Sequence, residues 1–428
     1  MRWFRVLGTV LVALLVAAAC SSDSDPEVVA EAPTEAVDEA AQPEETEAAE
    51  ATAEPTAAPT ATPEPPTPTP VPPTPESEPE DAAESAPGFD FSEVATVVET
   101  YVEENNLNGA GLIVVHRDHG VVYHDHWGEF DESRISLIAS SSKMITAGVL
   151  LNLDDRGLLD IDAPVADAAE WGASNPDITP AQLISNSSGL VGLLPDPAYL
   201  PYVCQYLAAG SLQACAETIM TTDADDDDII APDSEFRYGG AQWQVAGAVA
   251  EVASGQSWAE LIDEIYVQPC GLETLAYNNH FTQMGGGFSY PERFAGDPET
   301  LRDTDNPNME GGAYVTTGDY GKLLLMHLRD GMCGDTQVLS PEALERMHGD
   351  RIGAVYDGDA FGPGQGYGMG WWVDRETGLI TDGGAYGSHP WLDLEDGHGA
   401  YLVVEASSAI GNQLGGLLYE PVEAALLG

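Results

Sequence analysis

The sequence predicts an α+β fold, an α/β sandwich in which one antiparallel sheet is built from both ends of the chain. Three observations indicate this fold: β-rich runs follow a predicted helix near residue 91, a long middle region is mainly helical, and further β-rich runs precede a closing helix. The sheet is therefore expected to be flanked by N- and C-terminal helices, with a large helical region inserted between its two parts.

The individual elements follow from the spacing of apolar residues. Residues 91–106 carry apolar side chains such as Val94 and Val98 on one face of a predicted amphipathic helix. Two β-rich runs, residues 111–116 and 121–127, flank a polar turn and predict a hairpin. Three later strands and the closing helix are predicted at residues 369–374, 378–381, 399–405 and 417–427.

The N-terminal segment is predicted to serve export and attachment. Residues 1–19 place two arginines before an apolar run, the order of a secretory signal peptide. Small residues directly before Cys20 resemble a bacterial lipobox, so we expect lipidation there; a plain signal peptide with a spare cysteine is the alternative. Residues 20–88, rich in Glu, Ala, Pro and Thr, predict a disordered tether, and residues 89–428 the globular domain. We expect an exported lipoprotein of the cell surface or periplasm, or a secreted protein.

The chain is strongly acidic, with 72 Asp and Glu against 14 Lys and Arg and a formal net charge of −58. Such a field repels nucleic acid and anionic membrane surfaces, so we expect no nucleic-acid partner and membrane contact only through the N-terminal lipid. Lysine is almost absent, since Lys143 and Lys322 are the two in the sequence. The position of Lys143, three residues after a serine, therefore draws attention to that motif.

Four further cysteines in an exported chain predict two disulfides. Cys204, Cys215, Cys270 and Cys333 allow three pairings, of which Cys204–Cys215 and Cys270–Cys333 are favoured. Neither C-x-x-C spacing nor a nearby histidine accompanies them, so we expect no metal.

Three other polar or glycine-rich groups are interpreted as having no ligand. The acidic run at residues 223–228 lacks the glycine and spacing of a calcium loop, and the glycines at 285–287 lack a following lysine for phosphate binding. Incidental exposure is favoured over a metal site for the histidines of the hairpin, which are His116, His119, His124 and His126.

A serine and a lysine stand one helical turn apart at the start of a predicted buried helix. Ser140 lies at the N-terminal edge of a run that includes Val149 and Leu153, and Lys143 follows on the same face. A lysine kept neutral by desolvation can take the serine proton, and the helix N-terminus favours developing negative charge. The alternative is an N-cap serine beside a surface lysine.

This run resembles the S-x-x-K motif of the serine β-lactamase and penicillin-binding protein superfamily, in its class C-like and esterase branch. Segments similar to further blocks of the family follow in order, at residues 178–190, 236–240 and 311–314. The resemblance extends from residue 91 to the C-terminus. It implies a β-lactamase/transpeptidase-like fold and a serine hydrolase with Ser140 as nucleophile, Lys143 as base and no cofactor.

The second motif of the family would contribute a tyrosine. By resemblance this is Tyr238, whose phenol would relay a proton between Ser140, Lys143 and the leaving group; a packed aromatic beside a turn is the alternative. Relatives commonly carry Asn two residues later, where this chain has Gly240. An amide that would hold the substrate's acyl side chain is therefore missing.

The third motif of the family is Lys or His, then a small residue, then Gly. Its best match is Asp382-Gly383-Gly384-Ala385, which would line the substrate site. By resemblance the backbone N–H groups of Ser140 and Ala385 would form the oxyanion hole. In penicillin-recognising members a cation at the first position helps to hold the drug's carboxylate, which Asp382 would repel.

A rival register for the third motif is Ser388-His389-Pro390. It lacks the glycines, and Pro390 has no N–H to donate. Even so, His389 and Trp391 are expected to line the pocket.

These motifs predict acyl transfer from a small-molecule or peptide substrate to water. We also expect a monomer. Because of Asp382 and Gly240, a carboxylesterase or peptidase-like enzyme ranks above a β-lactamase or a D-alanyl carboxypeptidase. A non-catalytic binding protein of the cell envelope with the same fold is the alternative from another class.

Overall fold

The computed structural model describes residues 88–193, 199–222, 228–284 and 289–428. The predicted signal peptide, Cys20 and most of the tether lie outside these residues, as do most of the acidic run and the glycines at 285–287. No helix within the described ranges combines the length and apolarity needed to cross a bilayer.

The central sheet is antiparallel and draws its strands from both ends of the chain, as predicted. Seven described strands pair in the order β2-β1-β12-β11-β10-β9-β8, and β1 lies directly against β12. A smaller sheet has the order β3-β5-β4, and β6 pairs with β7. The strands are β1 Gly109–His116, β2 Gly120–Gly128, β3 Ile135–Leu137, β4 Ala276–Tyr277, β5 Ala313–Thr316, β6 Met332–Cys333, β7 Thr336–Gln337, β8 Gln365–Tyr367, β9 Trp372–Asp374, β10 Ile380–Thr381, β11 Ser388–Asp393 and β12 His398–Val403.

Helices cover both faces of the central sheet. Among the described residues they are α1 Ser92–Glu104, α2 Lys143–Asp155, α3 Val165–Ala168, α4 Pro180–Leu183, α5 Leu212–Thr221, α6 Gly240–Ser254, α7 Trp258–Ile262, α8 Gln268–Cys270, α9 His280–Gln283, α10 Thr317–Leu328, α11 Pro341–His348, α12 Arg351–Tyr356 and α13 Ser408–Leu427. The α+β class is confirmed, with the inserted helical region between the two halves of the sheet.

Alternation along β1 sorts its side chains between two apolar cores. Leu112 and Val114 pack with the terminal helices α1 and α13, whereas Ile113 and Val115 face the inserted helical region. Successive strand residues point to opposite faces, so a strand buried on both faces is apolar throughout. The segment that carries Ser140 lies between this sheet and the helical region, where Ser141 contacts Ser388 of β11.

Strand β11 and helix α13 differ from the sequence predictions. Strand β11 was not predicted, because its central Pro390 lacks the N–H that a sheet ladder uses; its carbonyl still accepts from Asp382 N–H at 3.3 Å. Helix α13 begins at Ser408 rather than at residue 417, because glycines such as Gly415 obscure its helical pattern.

Both favoured disulfides are present. Cys204 bonds Cys215 across a sequence separation of 11 residues, and Cys270 bonds Cys333 across 63 residues. The first joins a 3-10 turn, Leu200–Tyr206, to helix α5, and the second joins α8 to β6.

Removing the long-range disulfide is expected to cost more stability than removing the short one. Closing a longer loop removes more entropy from the unfolded chain, so Cys270→Ser with Cys333→Ser should lower the free energy of unfolding by about 4 kcal/mol, against roughly 3 kcal/mol for Cys204→Ser with Cys215→Ser. Urea unfolding of the two double variants measures this difference. Free thiols titrated in the unfolded, unreduced wild-type domain would contradict the pairing itself.

Candidate active site

Ser140 lies in a 3-10 turn, Ala139–Ser142, that leads directly into helix α2. Ala139 has a left-handed φ of 46°, which is costly for a residue with a Cβ. Ser142 Oγ donates to Ala139 O at 2.6 Å and holds this turn in place. The Ser140 hydroxyl is thus presented at the mouth of a helix that is otherwise almost entirely buried.

The structure brings the three side chains of the first two motifs together. Lys143 Nζ donates to Ser140 Oγ at 3.1 Å, and Tyr238 Oη donates to the same oxygen at 2.8 Å. The Lys143 side chain is 0% exposed, which rules out the alternative of a surface lysine. Ser140 Oγ therefore accepts from two donors that flank it.

Tyr238 is positioned by the backbone just before helix α6. Leu193 N–H donates to Tyr238 O at 2.7 Å, and Arg237 N–H donates to Asn186 O at 2.8 Å. Gln242, in the first turn of α6, donates its amide to Arg237 O at 2.7 Å. These bonds fix the direction of the tyrosine side chain toward Ser140.

The expectation of a resting lysine kept neutral by desolvation is wrong. Burial lowers the pKa of Lys143, but the attraction of Tyr238 and Glu310 outweighs it, and the pKa is raised above its usual value. Burial also raises the pKa of the Tyr238 phenol, against the opposing effect of Lys143. The charged form of Lys143 is therefore favoured, with the Glu310 carboxylate as its buried partner.

Glu310 is the residue of this site that the sequence analysis missed. Lys143 Nζ donates to Glu310 O at 3.1 Å and to Glu310 Oε2 at 3.3 Å. Glu310 is only 4% exposed. One more glutamate is inconspicuous in so acidic a chain, and its position just before a recognised Gly-Gly-Ala-Tyr block was the available signal.

Gly240 is explained by the side chains that fill its space. A Cβ at residue 240 would lie 2.2 Å from Gln205 Oε1 and 2.2 Å from Glu310 Oε1. The amide that relatives commonly carry at this position is absent, as the sequence showed, and a buried carboxylate and a buried amide stand in its place.

Asp382 does not line the substrate site, which corrects that prediction. Its side chain is fully buried beneath the start of α2, and its Oδ2 accepts from Met144 N–H at 3.2 Å. Burial raises the pKa of Asp382 well above its usual value, although Lys143 opposes the shift. A carboxyl buried in this position does not directly repel a carboxylate bound in the substrate site. It also does not supply the cation that penicillin-recognising members carry there.

The loop after Asp382 lies beside the serine turn. Ser141 Oγ donates to Asp382 O at 2.6 Å, and Gly384 N–H is used by Ser388 O at 2.9 Å. By contrast, the N–H groups of Ser140 and Ala385 donate to no acceptor among the described residues. These two groups are the pair predicted for the oxyanion hole, and both are available to an incoming oxygen.

His389 and Trp391 do not line the pocket, which is a second correction. Both lie on the face of β11 that packs against helix α13, where His389 contacts Asn412 at 2.9 Å and Tyr419 at 2.7 Å. Strand alternation places Ser388 on the opposite face, in contact with Ser141 at 2.7 Å. Sequence proximity to the third motif therefore misled the prediction.

Aromatic side chains form a wall beside Tyr238. The Tyr238 ring centroid lies 5.2 Å from that of Trp372 and 5.9 Å from that of Phe361, and Phe236 lies 5.8 Å from Phe361. Phe361 is 39% exposed. These rings, called the aromatic wall below, offer an apolar surface next to the Ser140 hydroxyl.

Metal-ligating side chains do not gather at this site. Within the described ranges, no group of three or more His, Cys, Asp and Glu side chains is arranged to hold a metal ion. His124 and His126 pack against each other on β2, with ring centroids 4.7 Å apart.

The fold and the site define a serine hydrolase. The Beta-lactamase family model matches residues 94–412, and the chain belongs to that family. Penicillin-binding protein 4 of Amycolatopsis lactamdurans is 25% identical over 285 residues, covering 63% of this chain and 71% of the relative. Esterase EstB of Burkholderia gladioli is 28% identical over 240 residues, covering 49% of this chain and only 56% of the esterase.

Solved structures show the same fold. EstCE1, described as a hydrolase with promiscuous acyltransferase activity, superposes with a TM-score of 0.64 at 19% identity, covering 79% of this chain and 98% of that one. A penicillin-binding protein homolog from Caulobacter crescentus superposes with a TM-score of 0.61 at 18% identity, covering 78% and 97%. The fold predicted from the resemblance is confirmed.

Replacing Asp382 by Asn should stabilise the protein increasingly as pH rises. The raised pKa means that the folded state prefers the protonated carboxyl, so wild-type stability is lost as pH climbs from the ordinary carboxyl pKa toward the raised one. The Asn variant has no such proton to lose. Its unfolding free energy relative to wild type should increase by about 1 kcal/mol or more between pH 4 and pH 8.

Denaturant unfolding at both pH values measures this effect, with exposed Asp177→Asn as the matched control. A difference between Asp382→Asn and wild type that stays constant with pH would show that the carboxyl titrates alike in the folded and unfolded chains.

Proposed function

We propose that this protein is a carboxylesterase-like hydrolase that acts through an acyl-enzyme on Ser140. The observation that carries the proposal is the pair of hydrogen bonds received by Ser140 Oγ, from a fully buried Lys143 and from Tyr238. A serine placed between an amine and a phenol has the groups that acyl transfer needs to move a proton on and off its oxygen.

The reaction begins with attack of Ser140 Oγ on the carbonyl carbon of an ester, while the hydroxyl proton passes to the hydrogen-bonded groups of Lys143 and Tyr238. The carbonyl oxygen becomes an oxyanion, which the free N–H groups of Ser140 and Ala385 would receive. The ester C–O bond then breaks, and the alcohol leaves with a proton supplied through Tyr238 and Lys143. Water attacks the acyl-enzyme and releases the acid by the reverse proton movements.

The surroundings favour a neutral, apolar substrate over one that carries a carboxylate. The first position of the third motif holds a buried acid rather than a cation, and the aromatic wall lies against Tyr238. Aromatic surfaces bind apolar acyl or alcohol groups. The similarity to Esterase EstB points in the same direction.

A β-lactamase or D-alanyl carboxypeptidase is the second candidate. The similarity to a penicillin-binding protein favours it. The absence of a cation at the third motif and the replacement of the family's Asn by Gly240 weigh against it.

Ser140→Ala should abolish ester hydrolysis while leaving the fold intact. Loss of the nucleophile removes the acyl-enzyme route, so turnover of p-nitrophenyl esters should fall at least about 1,000-fold. The wild type should also hydrolyse a neutral p-nitrophenyl ester faster than a penicillin. Both are measured by absorbance, with unfolding curves as the control for folding.

Labelling identifies the nucleophile independently. A fluorophosphonate probe followed by peptide mapping should modify Ser140, and labelling at another residue would overturn the assignment. A wild-type protein that turns over no ester yet binds a cell-wall peptide would favour the non-catalytic alternative.

We also propose that the mature chain is a lipoprotein attached through Cys20. The support is the sequence alone: a signal-like segment, the small residues before the cysteine and the long polar segment after it. In cells fed labelled palmitate, the wild type should carry label in the membrane fraction, and Cys20→Ser should lose the label and appear in the soluble fraction. Unlabelled wild-type protein in the medium would show a plain secreted enzyme.

A further inference from the structure

The resting site lacks a group that can accept the Ser140 proton directly. Lys143 Nζ and Tyr238 Oη both donate to Ser140 Oγ, and the amine is paired with the buried carboxylate of Glu310, which favours its charged form. An ammonium group can take the serine proton only if it gives one of its own away. The acceptor must therefore lie on the far side of Lys143.

Glu310 occupies that position. Its Oε2 accepts from Lys143 Nζ at 3.3 Å, on the same amine that lies 3.1 Å from Ser140 Oγ. Its backbone is held by the neighbouring segment, since Thr146 Oγ1 donates to Met309 O at 2.9 Å and Gly311 N–H donates to Asn308 Oδ1 at 2.8 Å. The carboxylate is fixed at the end of a continuous path from the serine.

The carboxylate of Glu310 has one oxygen on Lys143 and the other in a buried polar pocket. A Cβ at residue 240 would lie 2.2 Å from Gln205 Oε1 and 2.2 Å from Glu310 Oε1, and the Tyr206 hydroxyl also interacts with Glu310. The second oxygen therefore lies away from solvent, in space that a side chain at residue 240 would fill.

We propose that Glu310 completes the proton path of this site, accepting a proton from Lys143 Nζ while Lys143 Nζ takes the proton of Ser140 Oγ. Gly240 contributes to this arrangement, because any side chain at residue 240 would occupy the space of Gln205 Oε1 and Glu310 Oε1. This inference rests on the proposed esterase function and adds a positioning residue that acts through Lys143.

The proton balance of acylation closes without an external group. As the Ser140 Oγ–C bond forms, the hydroxyl proton passes to Lys143 and one ammonium proton passes to Glu310, so the amine keeps its charge. As the C–O bond to the alcohol breaks, the proton returns from Glu310 through Lys143 to the leaving oxygen. Water repeats the cycle in deacylation.

Several titratable side chains surround the pair formed by Lys143 and Glu310. Asp382, beneath the start of α2, also raises the pKa of Lys143. The titratable side chains that face Glu310 are Lys143, Tyr206, Tyr238, Tyr367 and Tyr386.

Glu310→Gln tests the proposal, because it keeps the shape of the side chain and removes its basicity. We expect kcat for a p-nitrophenyl ester to fall about 100-fold or more with KM little changed, because the variant still binds the ester but lacks the proton acceptor. In Glu310→Ala, added formate or acetate should restore activity in proportion to its concentration. The surface variant Glu264→Gln, in an exposed ion pair with Arg156, is the matched control and should behave as wild type.

The outcomes separate the two proposals. A wild type without esterase activity refutes the proposed function. An active wild type whose Glu310→Gln variant keeps its kcat, or whose Glu310→Ala variant loses kcat without rescue by carboxylates, refutes the role of Glu310. If Glu310→Gln fails to fold, Gly240→Ala, whose methyl group would displace the carboxylate, should lower kcat in the same way. An unchanged kcat in that variant also refutes the role.

Discussion

The site depends on one buried amine. Lys143 has no exposed surface, and a charged group in such a position is stable only with paired and hydrogen-bonded partners. Ser140 Oγ, Glu310 O and Glu310 Oε2 supply those partners. Breaking a buried pair by removing one member costs about 3–5 kcal/mol in other proteins, so the amine constrains every residue around it.

The architecture brings the partners of this amine to one place from distant parts of the chain. Helix α2 carries Lys143, the start of α6 brings Tyr238, and the segment before β5 brings Glu310. The loop after β10 closes the site through the bond from Ser141 to Asp382. Because β1 pairs with β12, the sheet that supports this loop is formed by strands from both ends of the chain.

Substitutions within the family motifs are coupled to one another. The absence of a side chain at Gly240 makes room for Glu310 and Gln205, and the buried carboxyl of Asp382 replaces an outward-facing cation. The space at Gly240 allows the negatively charged Glu310 carboxylate to lie beside Lys143. The buried Asp382 leaves the substrate site without a cation at the first position of the third motif. Both changes support the proposal of an uncharged ester substrate.

Three features could be predicted from the sequence because each has a local signal. A one-turn spacing indicates the pairing of Ser140 with Lys143, a motif indicates the approach of Tyr238, and a helical period indicates the terminal helices. Three other features had no local signal. They are the burial of Asp382, the packing of His389 against helix α13 and the contact of Glu310 with Lys143. They depend on strand alternation in β11 and on side chains more than a hundred residues apart, which lie close together only in the folded chain.

The sequence by itself therefore determined the fold class, the segment that carries Ser140 and Lys143, and the cysteines available for bonding. Only the tertiary structure decided the direction in which the pKa of the Lys143 amine moves, since that depends on the balance between burial and the charged groups brought to it.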